Sequence, residues 1–233
     1  MKHTFYVPPD RIQNQKVDFS QEQIRKIKKV LRLKEDSLVR VCDGMGGVYS
    51  VLAVNGGIKD YKKHNKDKKV YVKLYLGVSK LPSFEFALQK AVEIGVDEII
   101  PVLSKNSVVK IQDFNKKNSR FNKIALSAFC QCKRVFLPII KGIESINEIN
   151  PQSDLNIVAF EGEENLYLKT LLEDSKNCKT ISILTGPEGG LDINEIKMLK
   201  NNKFIPVKLT NNILRSETAV IFTLASIYFF FGE

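Results

Sequence analysis

Thr180-Ile-Ser-Ile-Leu-Thr-Gly-Pro-Glu-Gly-Gly-Leu-Asp-Ile-Asn-Glu-Ile-Lys-Met-Leu-Lys-Asn201 reads as a strand, a glycine-rich turn and a helix in immediate succession. The apolar run before Gly186 is short and bounded, as a fully buried strand is. Gly186, Gly189 and Gly190 permit positive φ and let a ligand come close to the backbone. Asp192 followed by Glu195 is a capping box that opens the helix. In α/β sheets ligands lie beyond the carboxyl ends of the strands, where this loop falls. It lacks the Gly-Lys-Ser/Thr of a phosphate loop and the Gly-x-Gly-x-x-Gly of a dinucleotide site. A nucleotide phosphate is therefore a poor fit, and on this stretch alone an ordinary tight turn stays open.

The same unit recurs outward from it. Strand Val72–Val78 precedes a helix over Ser83–Ile94, stopped by Gly95 as a C′ glycine. Next come strand Glu98–Leu103, a helix near Asn118–Cys132 and a short strand near Val135–Ile139. Strand Leu155–Phe160 leads to helix Glu164–Glu173, strand Thr180–Thr185 to helix Asp192–Asn201, and strand Ile205–Leu209 to a last helix, Ser216–Phe231. Such alternation predicts an α/β fold with a mostly parallel sheet covered by helices. The first third differs. Its strands are His3–Val7, Ser37–Cys42, Gly47–Val54 and Val70–Leu76, with Asp43-Gly-Met-Gly-Gly47 as a hairpin turn. One helix, opened by the capping box Ser20-Gln-Glu-Gln23, runs to about Leu31. Lys59–Lys69 reads as a polar loop. Short strands plus one helix suggest a small β-barrel, so two domains are expected, residues 1–72 and 73–233.

Charge separates the same two parts. Residues 1–73 carry 17 Lys and Arg against 8 Asp and Glu, whereas the remaining 160 carry 19 against 18. A basic segment concentrates a polyanion and gains from counterion release, which points to nucleic acid. A lysine-rich surface of no special role is the competing explanation. The predicted helix presents Arg25, Lys26, Lys28, Lys29 and Arg32 as candidate phosphate contacts. Four cysteines in 233 residues make no disulfide framework, and Cys130 and Cys132 would face different ways on a helix. With only two histidines there is no zinc spacing, so no metal is expected. No signal-peptide pattern opens the chain, and the apolar stretch Ala219–Phe231 is too short to span a bilayer. A cytoplasmic protein without membrane attachment is the expectation.

A second loop, Thr210-Asn-Asn-Ile-Leu-Arg-Ser-Glu-Thr-Ala219, follows the last predicted strand. Ser216 is read as the N-cap of the final helix, with Glu217 favourably placed in its first turn. Arg215 and Glu217 are the candidate reactive pair. A surface ion pair of little worth is the plain alternative.

Gly186-Pro-Glu-Gly-Gly190, followed by a strand and then Ile213-Leu-Arg-Ser-Glu-Thr-Ala219, closely resembles the RsmE family of 16S ribosomal RNA uridine-N3 methyltransferases. Lys90-Ala-Val-Glu-Ile-Gly-Val96, Ala128-Phe-Cys-Gln-Cys-Lys-Arg134, Val30-Leu-Arg-Leu33 and Asp43-Gly-Met-Gly46 resemble further family segments, so the likeness runs over nearly the whole chain. Departures fall at Lys2 and His3, at Lys26 and Lys28 where histidines are usual, and at Cys132 in place of serine. The resemblance implies a PUA-like N-terminal barrel followed by a SPOUT α/β domain with a C-terminal trefoil knot, acting as a homodimer. It implies S-adenosyl-L-methionine as methyl donor, held by Leu184, Gly186, Gly189, Gly190, Leu209, Ile213, Leu214 and Ala219, with the loop from Glu161 as the first wall. It implies the 16S rRNA of the small ribosomal subunit as substrate, with Gln131 and Arg134 near an extruded base. Arg215 would stabilise charge on the uracil carbonyls, with Glu217 orienting it or serving as base. Glu93 is read as structural. Two other functions stay open: a SPOUT relative acting on a ribose hydroxyl or a tRNA, and a catalytically silent RNA-binding assembly factor.

Overall fold

A computed structural model describes residues 3–107 and 117–232. It divides into two compact units, Met1–Asp67 with Leu126–Leu137, and Lys68–Ala125 with Pro138–Glu233.

In the first unit, β1 (Thr4–Tyr6), β2 (Ile12–Gln13), β3 (Lys16–Val17), α1 (Gln21–Arg25), β4 (Leu38–Cys42), β5 (Gly47–Leu52) and β6 (Ile58–Lys63) follow in order. A four-stranded sheet runs β1-β4-β5-β6, parallel between β1 and β4 and antiparallel elsewhere. The β2–β3 ribbon is tied on by Val17 N–H to Gly56 O (2.8 Å) and Ile58 N–H to Gln15 O (3.0 Å). Gly56, at φ +75°, lies so close to Val17 O that no Cβ fits there. Phe5, Phe19, Ile27, Val39, Val41 and Val51 form one core. The Ser20–Gln23 capping box is present, as the spacing predicts. Beyond Arg25 the helix widens into a π turn over Lys26–Val30, closed by Leu31 N–H to Lys26 O (2.9 Å). That winding buries Ile27 and leaves the flanking cations in solvent.

The polar loop expected over Lys59–Lys69 is corrected: its first part is β6. Backbone pairing with β5 supplies its hydrogen bonds whatever the side chains, and an edge strand tolerates lysines well. The short strand expected near Val135–Ile139 is instead a single bridge from Phe136 to Met45, followed by β9 (Ile139–Ile140).

The second unit holds β7 (Tyr71–Gly77), α2 (Leu81–Ile94), β8 (Glu98–Leu103), the start of α3 (Asn118–Gln131), β9, β10 (Glu144–Ser145), β11 (Leu155–Ala159), α4 (Leu168–Asp174), β12 (Thr180–Thr185), α5 (Ile193–Asn201), β13 (Ile205–Val207) and α6 (Ser216–Phe231). Its seven-stranded sheet is parallel throughout, in the order β10-β8-β7-β12-β11-β13, with β9 also on β8. β12, at the centre, is buried on both faces, with Ile181, Ile183 and Leu184 apolar and the Ser182 hydroxyl paired with that of Ser153 (2.8 Å). The unit begins before residue 73 because Lys68 is anchored in it. The Lys68 ammonium donates to Gly95 O (2.6 Å), to buried Asp97 (2.9 Å) and to Tyr228 Oη (3.0 Å).

One helix start and one helix cap differ from the expectation for local reasons. α4 starts at Leu168 because Glu163 first makes a turn, its carboxylate accepting the N–H of Asn165 (3.0 Å) and Leu166 (3.2 Å). Those bonds hold the Glu163 carboxyl below its usual range. α6 has Arg215 as its N-cap, with extended backbone (φ −63°, ψ 154°), and Ser216 is its first helical residue. Ser216 therefore cannot cap; its hydroxyl donates to Glu217 (3.2 Å). After β13 at the sheet edge, the chain returns, and α6 packs along α2 and touches α4 and β12.

Candidate active site

Three segments meet beyond the carboxyl ends of β11, β12 and β13. They enclose a cavity of about 450 Å³, lined by Ala159, Glu161, the 185–191 turn, residues 213–217 and Ala219, with Lys80 and Ser83 from the start of α2. A hollow of about 210 Å³ adjoins it, sharing Glu161, Ile213, Leu214 and Ala219 and adding Leu209 and Thr210. The two loops that stood out in the sequence thus face each other across one space.

The glycine turn is held from two sides. On one side the Glu188 carboxylate accepts the Ser83 hydroxyl (2.8 Å) and the Lys80 N–H (3.1 Å), so it caps α2, which has no cap of its own. On the other side Asn106 Nδ2 donates to Gly189 O (3.0 Å) and Gly190 O (3.3 Å). Lys105 Nζ donates to Asp192 (2.7 Å), and the Lys105 N–H to buried Glu195 (2.7 Å). The Lys105 bond, together with the Asn194 N–H, holds the Asp192 carboxyl below its usual range and the Lys105 ammonium above its own. The Asp192–Glu195 capping box is present. Gly190 is left-handed (φ +68°), and a Cβ there would strike Glu161.

Of the residues assigned to a donor, Gly186, Gly190, Ile213, Leu214 and Ala219 line the main cavity and Leu209 the adjoining hollow. Leu184 does not. Side chains alternate along β12, so Leu184 is fully buried in the core with Tyr75, Val158 and Ile196. Gly189 is also off the cavity, turned toward Asn106. Arg215 is exposed at the cavity rim, and its side chain makes no hydrogen bond or ion pair among the described residues. The Glu217 carboxylate accepts the Ser216 hydroxyl (3.2 Å).

The sequence reading missed four side chains. Thr185 is buried against the cavity with its hydroxyl unpaired among the described residues. Lys80 and Ser83 line the cavity because β7 lies beside β12, and Glu188, in the glycine turn itself, lines it and bonds both. One signal for that neighbourhood was available: Gly77 ends a strand, a position that often marks close backbone approach.

Arg25, Lys26, Lys28, Lys29, Arg32, Gln131 and Arg134 all belong to the first unit. The first five and Gln131 are exposed, and Arg134 is half-buried. Lys26 Nζ stands 5.7 Å from the centre of the Phe5 ring. Lys90 and Gln89 both bond Glu93 on the same helix (2.8 and 3.0 Å), a structural arrangement. Among the described residues no cluster of three His, Cys, Asp or Glu could hold a metal ion, and no helix is long and apolar enough to cross a membrane.

A parallel sheet whose three terminal loops enclose one cavity defines the class, and residues 66–228 match the family described as RNA methyltransferase domain. Ribosomal RNA small subunit methyltransferase E of Buchnera aphidicola is 30% identical over 98% of this chain and 93% of its own length. The protein of that name from Mesomycoplasma hyopneumoniae is 35% identical over 84% of this chain and 87% of its own. Crystals of the Neisseria gonorrhoeae protein of that name, bound to S-adenosyl methionine, share the fold with a TM-score of 0.84 at 25% identity, covering 97% of each chain. This chain belongs to the ribosomal RNA small subunit methyltransferase E family.

Proposed function

We propose that this protein transfers a methyl group from S-adenosyl-L-methionine to N3 of a uridine in the 16S rRNA of the small ribosomal subunit. The observation that carries this is the cavity formed jointly by the 185–191 turn and the 213–219 loop. A buried Thr185 hydroxyl, unpaired among the described residues, and bare glycine backbone at Gly186 and Gly190 fit a polar ligand lying flat against the chain. When bound, the donor supplies an electrophilic methyl on a sulfonium. Gly186, Gly190, Leu209, Ile213, Leu214 and Ala219 hold it and exclude water.

Arg215 acts on the RNA. Uracil N3 must lose a proton, which spreads negative charge onto the adjacent carbonyl oxygens; its lone pair would then form the N–CH3 bond as the donor's S–CH3 bond breaks and a neutral thioether leaves. A guanidinium with no partner among the described residues is available to stabilise that charge or to grip a phosphate. Glu217, half-buried beside it, is the candidate proton acceptor. The exposed cations of α1 and the π turn anchor phosphates, and Gln131 and Arg134 contact RNA near the extruded base.

Several finer features accompany this function. The first unit is a PUA-like barrel, supported by the ribbon bonded to the sheet around a shared core. The second carries a trefoil knot, supported by the return of the chain from edge strand β13 past β11 and β12 to α2. The working assembly is a homodimer in the cytoplasm. Its interface is the apolar stripe of α6, where Phe222 and Phe229 lie exposed, the latter by 92%.

Purified protein incubated with methyl-labelled donor and unmodified small subunits should label the RNA. Arg215→Ala should abolish labelling while donor affinity stays near wild type. Equal loss of donor affinity would remove Arg215 from the RNA side of the reaction.

A further inference from the structure

The glycine turn does not fix its own shape. Peptide planarity couples the carbonyl of each residue to the N–H of the next. Holding Gly190 O therefore aims the N–H of Leu191. That N–H makes no hydrogen bond among the described residues, and Leu191 is buried and lines the cavity. A buried backbone donor without an acceptor calls for one from a ligand. The group that holds Gly190 O, and Gly189 O with it, is the Asn106 amide, which comes from the loop after β8 and does not itself line the cavity.

We propose that Asn106 is a positioning residue for the methyl donor: its amide pins the Gly189 and Gly190 carbonyls outward and so presents the Leu191 N–H to an acceptor atom of the ligand. The proposal rests on the donor-binding function given above. Two further bonds make the support rigid: the Lys105 N–H and Nζ donate to Glu195 and Asp192. Asn106 also lies so close that a Cβ added to Gly189 would stand 3.1 Å from Asn106 Cβ. Gly190 N–H is used internally, on Pro187 O (3.0 Å), so the peptide after it is the one left for the ligand.

The test is calorimetric titration of S-adenosyl-L-methionine into the full chain and into Asn106→Ala and Asn106→Asp, from pH 4.5 to 8, with melting temperatures measured without donor. Asn106→Ala should weaken binding roughly tenfold, the loss of one or two hydrogen bonds, and raise the donor KM equally with kcat nearly unchanged. Asn106→Asp should be worse than Ala at pH 8, where a carboxylate faces two carbonyls. It should recover relative to Ala as the pH falls, because a protonated carboxyl donates. A merely structural role would not produce that crossing. Wild-type affinity in Asn106→Ala, or parallel pH profiles of the two variants, overturns the inference alone. No donor binding by the wild-type chain overturns the donor function and this inference together.

Discussion

Gly77→Ala isolates the packing that positions the cavity. Gly77 is the last residue of β7, outside the glycine turn, yet a Cβ there would lie 2.6 Å from Gly186 C and Pro187 N and 2.7 Å from Thr185 O. All three are backbone atoms of the cavity floor, so no side chain can swing aside. Ordinary contact begins at 3.4 Å, so β7 and the turn must part by about 0.8 Å. Overpacking of this kind costs about 1–3 kcal/mol, which for a chain this long lowers Tm by roughly 2–12 °C. The larger effect falls on function, since a misplacement near 1 Å costs on the order of a hundredfold in rate. Scanning fluorimetry and kcat/KM for the donor measure both. Gly142→Ala, with nothing within 4 Å, is the matched control and should be silent. If Gly77→Ala keeps wild-type Tm and kcat/KM, the β7–β12 contact does not shape the site.

Other consequences can be checked directly. Reversing Lys26, Lys28 and Lys29 to Glu should weaken RNA binding and lower the salt slope by about 2, read from affinity against salt concentration; an unchanged slope would take these residues off the phosphate backbone. Phe229→Glu should convert a dimer to a monomer in sedimentation, and a variant that stays dimeric would place the interface elsewhere. Asp154 accepts the N–H of Lys179 (2.8 Å) and Thr180 (2.9 Å), which lowers its pKa from 3.8. Its folded value is depressed, so its stabilisation is complete above the unfolded value and fades as pH falls through the folded one. Asp154→Asn should accordingly lower Tm at pH 7, and the difference should shrink steadily as the pH is taken below 3.8, a difference that grows with acid being the contrary result.

The legible parts of the chain were those where local chemistry decides. Thr180–Thr185 and Ser216–Phe231 were read to the residue, because a short, mostly apolar run or a long helical pattern ends at glycine or polar punctuation. The two loops of the cavity were visible as glycine and charge at strand ends. β6 was not visible, since a polar edge strand carries no apolar alternation and exists only through β5. Nor was the grouping of residues 126–137 with the first unit, set by non-local bonds such as Leu137 N–H to Gly44 O (2.9 Å) and Gly46 N–H to Val135 O (2.9 Å). Thr185, Glu188 and Asn106 follow the same rule. Their roles depend on which strands lie side by side, and the order β8-β7-β12-β11 is not written in any one segment. Leu184 lies off the cavity for a simpler reason: a motif names neighbours in sequence, whereas a strand sends them to opposite faces.

The most direct test of the central claim is where the methyl group ends up. Small subunits from cells lacking this activity should be incubated with the protein and labelled S-adenosyl-L-methionine, and the 16S RNA digested to nucleosides. The proposed function predicts label in 3-methyluridine alone. Label in a ribose-methylated nucleoside, or in tRNA instead of small-subunit RNA, would contradict it.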